Sequence, residues 1–129
     1  VLDPIDGNFH YANAGHPAPR LWRAGHRVVE PVRDATGLPL GMERHAAYHH
    51  RRTEIGPGDV LLLYTDGLTA ALDERGEMFG CARLDAALAE TAGEGAEAVK
   101  DAVVSRLDAF LGGAELQDDV ALVVVSRDR

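Results

Sequence analysis

The chain has 129 residues, 46% of them hydrophobic and 26% charged, enough to bury one core and too apolar for a disordered tail. Its 13 Lys and Arg against 21 Asp and Glu give a formal net charge of -8. That balance argues against a general binder of nucleic acid or anionic membranes, which needs a basic face. Cys81 is the single cysteine, which excludes an intrachain disulfide or a thiolate zinc cluster and suits a reducing, cytoplasmic setting.

Val1 to Tyr11 read as a hairpin whose turn contains Asp6-Gly7. Its first arm is short and the second runs on to Asn13, so the chain is expected to be a piece of a longer protein. Asn13-Ala14-Gly15-His16-Pro17-Ala18-Pro19 is a loop, and Leu21-Trp22 with Val28-Val29 predict a second hairpin, with Trp22 at a sheet edge. Gly37-Leu38-Pro39-Leu40-Gly41-Met42 is turn-rich with apolar side chains, which predicts an ordered loop packed onto the core. Ala46–Ile55, with His49-His50-Arg51-Arg52, reads as a polar, exposed strand.

Gly56-Pro57-Gly58 then precedes Asp59-Val60-Leu61-Leu62-Leu63-Tyr64 and the polar Thr65-Asp66-Gly67. A short apolar run between turn formers predicts a strand buried on both faces, with Asp66 at its C-terminal rim. Met78-Phe79 are expected to anchor the following loop. Leu84 and Leu88 predict a helix over Ala82–Glu90, with Cys81 just ahead of it. Val99, Val103, Leu107 and Phe110 predict a second helix over Ala96–Leu111, stopped by Gly112-Gly113. Gln117-Asp118-Asp119 lead into the apolar run Val120–Val125. Strands, two helices and a returning strand indicate an α+β layered domain.

Two buried-looking strands thus each carry acid at one end. If they are antiparallel neighbours, Asp66 meets Asp118-Asp119 in space, with one of that pair facing it. Carboxylates without thiols select hard ions such as Mg²⁺ or Mn²⁺, which activate water for attack at phosphorus. Taken singly, Thr65-Asp66-Gly67 is more often just a turn and Asp118-Asp119 more often a solvated loop or cap than a metal site.

Five segments occur in order: Asn13–Pro19, Gly37–Met42, Pro57-Gly58-Asp59, Tyr64–Thr69 and Asp118–Leu122. Together they resemble the C-terminal half of a metal-dependent serine/threonine protein phosphatase (PPM, protein phosphatase 2C-like) domain. The similar branch is the bacterial one of the stage II sporulation phosphatase (SpoIIE) and the phosphatases that regulate stress sigma factors. The resemblance covers essentially all of residues 1–129. It implies an α-β-β-α sandwich of two antiparallel sheets flanked by helices, with a two-metal Mn²⁺ or Mg²⁺ site at one edge. It also implies hydrolysis of phosphoserine or phosphothreonine on a small phosphoprotein that antagonises an anti-sigma factor, under an attached upstream sensor domain. Asp66 matches one metal aspartate and Asp118 the other, with Asp119 as the fallback. His16 matches a loop position near substrate or a further metal, or simply orders its loop.

The family's other essential aspartate belongs to an upstream Gly-Asp segment that this sequence lacks, so the chain by itself is expected to be weak or inactive. The alternative expectation is a non-catalytic binding or dimerisation module, forming a homodimer through exposed strand edges.

Overall fold

The chain doubles back at short turns to lay the apolar run Val60–Tyr64 between two layers. The computed structural model describes residues 1–33 and 35–129. Its strands are β1 (Asn8–Tyr11), β2 (Asn13–Ala14), β3 (Arg20–Arg23), β4 (Val28–Pro31), β5 (Thr36–Gly37), β6 (Arg51–Glu54), β7 (Val60–Tyr64) and β8 (Leu122–Ser126). Its helices are the single turn α1 (Asp66–Thr69), α2 (Gly80–Thr91) and α3 (Ala96–Leu111), the last two joined by a 3₁₀ turn at Ala92–Glu94.

The main sheet has the order β4-β3-β7-β8, antiparallel throughout. β7 lies inside it, and the two-residue period sends its side chains alternately to two cores. Val60, Leu62 and Tyr64 join Leu84 and Leu88 of α2 and Val99, Val103 and Leu107 of α3. Leu61 packs on the other side with Leu21, Val32 and Ile55, against which Phe9 and Tyr11 of β1 also lie. A second layer, the antiparallel β1–β6 pair, covers that side. Both long helices cover the first side, so the described residues supply three layers of the expected four. The pair β2–β5 is parallel, Asn13 opposite Thr36 and Ala14 opposite Gly37, a departure from purely antiparallel sheets.

α3 begins and ends where the sequence predicts. Gly112 closes it in the left-handed conformation at φ 61, and its N–H donates to the Asp108 carbonyl at 3.3 Å. Each fully buried leucine or valine of this stripe contributes about 1.5–3 kcal/mol by leaving water. A buried ion pair ties α2 to β3: Arg20, 8% exposed, donates through Nε to Asp85 Oδ1 at 2.6 Å, and its Nη2 meets Oδ2.

Several expectations need correction. Trp22 belongs to the helix-side core and is buried, because β3 is an interior strand flanked by β4 and β7. The Gly37–Met42 loop does not bury its apolar side chains: Leu40 is 77% and Met42 70% exposed. Phe79 is buried while Met78 is exposed, since only Phe79 points between the helices, edge-on to Phe110. Cys81 sits in the first turn of α2. In the 46–55 stretch only Arg51–Glu54 is strand. β8 starts at Leu122, and as an edge strand it leaves Val123 58% exposed.

Burial of Tyr64, helped by a 3.8 Å contact with Cys81 Sγ, pushes its phenol up to about 12. An unfolded tyrosine ionises near 10, so the unfolded state alone gains charge between pH 10 and 12. Stability is therefore expected to fall across that window and level off above it. Urea titrations at pH 9 and pH 11.5 should show a smaller alkaline loss for Tyr64→Phe than for the wild type.

Candidate metal centre

The acids converge because β7 and β8 are antiparallel partners. Tyr64, the last residue of β7, stands opposite Leu122, the first of β8. Each chain end beyond that pair carries its acid toward the same edge. Thr65 stitches the two ends together: its N–H donates to the Ala121 carbonyl at 3.0 Å, and its Oγ1 accepts from the Ala121 N–H at 3.0 Å.

Immediately after Thr65 the chain turns into α1, held from below by buried Leu68. Asp66 opens this turn with its side chain exposed, rather than sunk into the core, so the fold spends nothing on dehydrating its carboxylate. Gly67 is the packing point of the whole edge. A Cβ there would lie 2.2 Å from the Asp119 carbonyl oxygen, so only glycine lets the acidic loop lie this close.

Asp66, Gly67, Ala70, Ala71, Gln117 and Asp118 line a cleft of about 70 Å³. A water needs roughly 10–15 Å³ measured in this way, so the cleft accommodates an ion with a few waters but no phosphorylated side chain. Of the two candidates after residue 117, Asp118 shares the cleft with Asp66. Asp119 is not in its lining, and its N–H donates to Asp118 Oδ1 at 2.7 Å. Both acids lie in the loop ahead of β8, so strand alternation does not distinguish them; Asp118 lines the cleft, while the Asp119 carbonyl packs on Gly67.

Gln117 is a contributor the sequence reading passed over. Its Oε1 accepts from the Leu72 N–H at 3.2 Å and its amide donates to the Glu115 carbonyl at 2.7 Å. The acidic loop is thereby fixed to the segment after α1. A glutamine beside two aspartates carries no motif of its own. Thr65 was equally hidden, because only strand pairing shows what its hydroxyl reaches.

His16 is not in this cleft. Its ring Nδ1 contacts the Pro17 carbonyl at 3.1 Å, while Asn13 brackets its backbone, accepting at Oδ1 from the His16 N–H at 2.8 Å. That is loop ordering. Gly15, at φ 80, lies against the Pro39 ring, where a Cβ would be 2.5 Å from Pro39 Cγ. The Asn13–Pro19 and Gly37–Met42 segments are therefore one packed unit.

The chemistry of the cleft suits a hard divalent cation. Its charged donors are carboxylate oxygens only, and Mg²⁺ in particular keeps several waters and asks for one or two carboxylates. Asp66 and Asp118 form no ion pair among the described residues. No group of three or more His, Cys, Asp and Glu able to hold a metal occurs among the described residues. Among the described residues, Asp66 and Asp118 are the carboxylates that line this cleft, and no third His, Cys, Asp or Glu completes a metal-holding group with them.

Comparison with known proteins agrees with this architecture. The family described as stage II sporulation protein E (SpoIIE) matches residues 1–128. Protein IcfG of Synechocystis sp. is 32% identical over 128 residues, covering 99% of this chain and 20% of that protein. The RsbU and RsbW domains of a Mycobacterium tuberculosis protein superpose with a TM-score of 0.75 at 29% identity, over 98% of this chain and 34% of that one. The phosphatase domain of Bacillus subtilis SpoIIE superposes with a TM-score of 0.73 at 15% identity, over 99% of this chain and 54% of that one, a likeness of fold. The chain thus spans between a fifth and about half the length of these relatives. With that family model matched over residues 1–128, the chain belongs to the SpoIIE family.

Proposed function

We propose that residues 1–129 are the C-terminal portion of a PPM-type phosphatase domain that hydrolyses phosphoserine or phosphothreonine on a regulatory phosphoprotein. The convergence of Asp66 and Asp118 on one cleft, in a chain of this family, carries the reading. The substrate is an anti-sigma-factor antagonist, the setting is the cytoplasm, and an upstream sensor domain controls the activity. No helix among the described residues is long and apolar enough to cross a membrane.

Electrostatics explains why a cation belongs here. A phosphomonoester dianion approaching two carboxylates is repelled by about 4 kcal/mol per unit-charge pair at 4 Å and an effective dielectric of 20. A bound Mn²⁺ or Mg²⁺ would reverse that sign, and the chemistry it would supply is a nucleophilic water for attack at phosphorus. Asp66 and Asp118 would hold the ion, while Thr65 and Gln117 hold the two loops in register and Gly67 keeps them close.

Exposed apolar side chains favour a second reading, a non-catalytic binding or dimerisation module: Leu40, Met42 and the edge-strand Val123 all face solvent. Mn²⁺ binding and hydrolysis of para-nitrophenyl phosphate, compared between wild type and Asp66→Asn, separate the two. The phosphatase reading expects Mn²⁺ affinity to fall about tenfold or more in Asp66→Asn, any Mn²⁺-dependent turnover to vanish, and the melting temperature to hold. Absence of Mn²⁺ binding together with a stable dimer in sedimentation would establish the module instead.

A further inference from the structure

On the side turned away from the main sheet, the α2–α3 pair carries a groove that takes no part in the acid cleft. The bulky residues of the two helices, Leu84, Leu88, Val99, Val103 and Leu107, point inward to the core. Ala82 and Ala86 of α2 and Ala109 of α3 remain outside and leave an open groove of about 720 Å³ between the helices. Phe79 and Phe110 also line it, edge-on to each other with ring centroids 5.5 Å apart.

The only charged side chains in that lining are Arg83 and Arg106. In a chain of net charge -8, an apolar groove flanked by two guanidiniums and no acid is a local reversal of sign. Their acidic partners stand outside it: Arg83 Nη2 donates to Glu77 at 2.8 Å, and Arg106 Nη2 meets Glu90. Arg83 also donates through Nη1 to the Met78 and Phe79 carbonyls, both at 3.0 Å, and its guanidinium lies 4.5 Å from the Phe110 ring centroid. It is a fixed part of the wall. Arg106 commits only Nη2 among the described residues, to a Glu90 side chain that is 61% exposed. A pair so exposed is weak and exchanges partners at little cost.

We infer that this groove docks an acidic amphipathic helix of a partner protein. Its apolar stripe would seat on the two phenylalanines and the alanines, and its flanking carboxylates would reach Arg83 and Arg106. The aromatic surface supplies the anchor, while the arginines set the register and turn away basic helices. A second copy of this chain suits the groove less well. A two-fold contact there sets each groove's arginines against their equals, and two bodies of charge -8 repel each other.

The test is fluorescence anisotropy of a labelled probe peptide of about 15 residues. The probe carries Leu and Phe at i, i+3, i+4 and i+7 and glutamates on both flanks, and is titrated with wild type, Arg106→Glu, Ala109→Glu and Val104→Glu. Ala109→Glu puts an acid into the groove at an exposed position, whereas Val104→Glu adds the same charge to α3 outside the lining. Saturable binding is expected for wild type and Val104→Glu. Affinity should fall about fivefold or more in Arg106→Glu and about tenfold or more in Ala109→Glu. Raising NaCl should weaken the wild-type complex, and a probe with lysines for glutamates should bind about tenfold less well. Circular dichroism of all four proteins checks a common fold, which substitutions at these outward positions should preserve. Equal binding by wild type and Ala109→Glu, equal binding of the acidic and basic probes, or no saturable binding below millimolar protein would overturn the inference. So would a wild-type dimer in sedimentation that Ala109→Glu dissociates and the probe does not, which assigns the groove to a second copy.

Discussion

Gly67→Ala is expected to cost about 2 kcal/mol of stability and to weaken Mn²⁺ binding together with it. The added methyl would sit 2.2 Å from the Asp119 carbonyl oxygen and 3.1 Å from its carbon, both backbone atoms that no rotamer change can move. Overpacking of this kind typically costs about 1–3 kcal/mol, and here relief comes only by pushing the 117–121 loop away. That loop carries Asp118, so displacement also separates the two carboxylates of the cleft. Gly25→Ala is the control, since a Cβ there meets nothing within 4 Å, and it should be near neutral. Urea denaturation and Mn²⁺ titration on the two variants check the pairing of effects. Gly67→Ala with wild-type stability and Mn²⁺ affinity would show that the loop does not depend on this contact.

Asp59→Ala should lower stability by about 3 kcal/mol and leave Mn²⁺ affinity intact. Asp59 is 6% exposed and fully engaged. Its Oδ1 accepts from the Ala24 N–H at 2.8 Å, and its Oδ2 accepts from the Gly56 N–H at 3.0 Å and from Arg23 Nη1 at 3.1 Å. Truncation strands two backbone donors, each worth about 1–3 kcal/mol when left buried and unpaired, and removes one of the carboxylates around Arg23. Arg23 keeps Glu30 at 2.7 Å and Thr53 Oγ1 at 3.0 Å, which limits the loss to less than that of a fully buried pair. Asp59 precedes β7 and the metal cleft follows it, with about 16 Å of strand between them. Denaturant midpoints and Mn²⁺ titration should therefore diverge in this variant, where in Gly67→Ala they move together. Asp59→Asn, which retains an acceptor oxygen, should lose roughly half as much.

The contrast between these two aspartates marks how far residue order alone can be read. β7 and α3 were legible because one periodicity, two or 3.6 residues, ran unbroken between turn formers. Asp66 was legible as the acid at the end of the buried run. Its exposure was not, because whether the chain continues as a loop or turns back through α1 depends on what Leu68 packs against. Asp59 stood in plain sight within Pro57-Gly58-Asp59 and gave no hint of its partners, which come from the β3–β4 hairpin. Trp22 was misplaced at an edge since strand order is a tertiary property: nothing local says that β7 will slot in beside β3. Leu40 and Met42 were expected inside for the opposite reason, as apolar residues imply burial only on average.

The stitch between Thr65 and the acidic loop has a consequence for how the protein comes to exist. Thr65 and Asp119 are 54 residues apart, with both long helices strung between them. Closing such a loop carries an entropic cost that local helices and hairpins do not face. On a ribosome β7 and Asp66 emerge well before β8 does. Until β8 docks, Asp66 has no Asp118 across the cleft from it. The cleft is therefore a property of the docked β7–β8 pair: its acid-bearing edge forms only once β8 is in place.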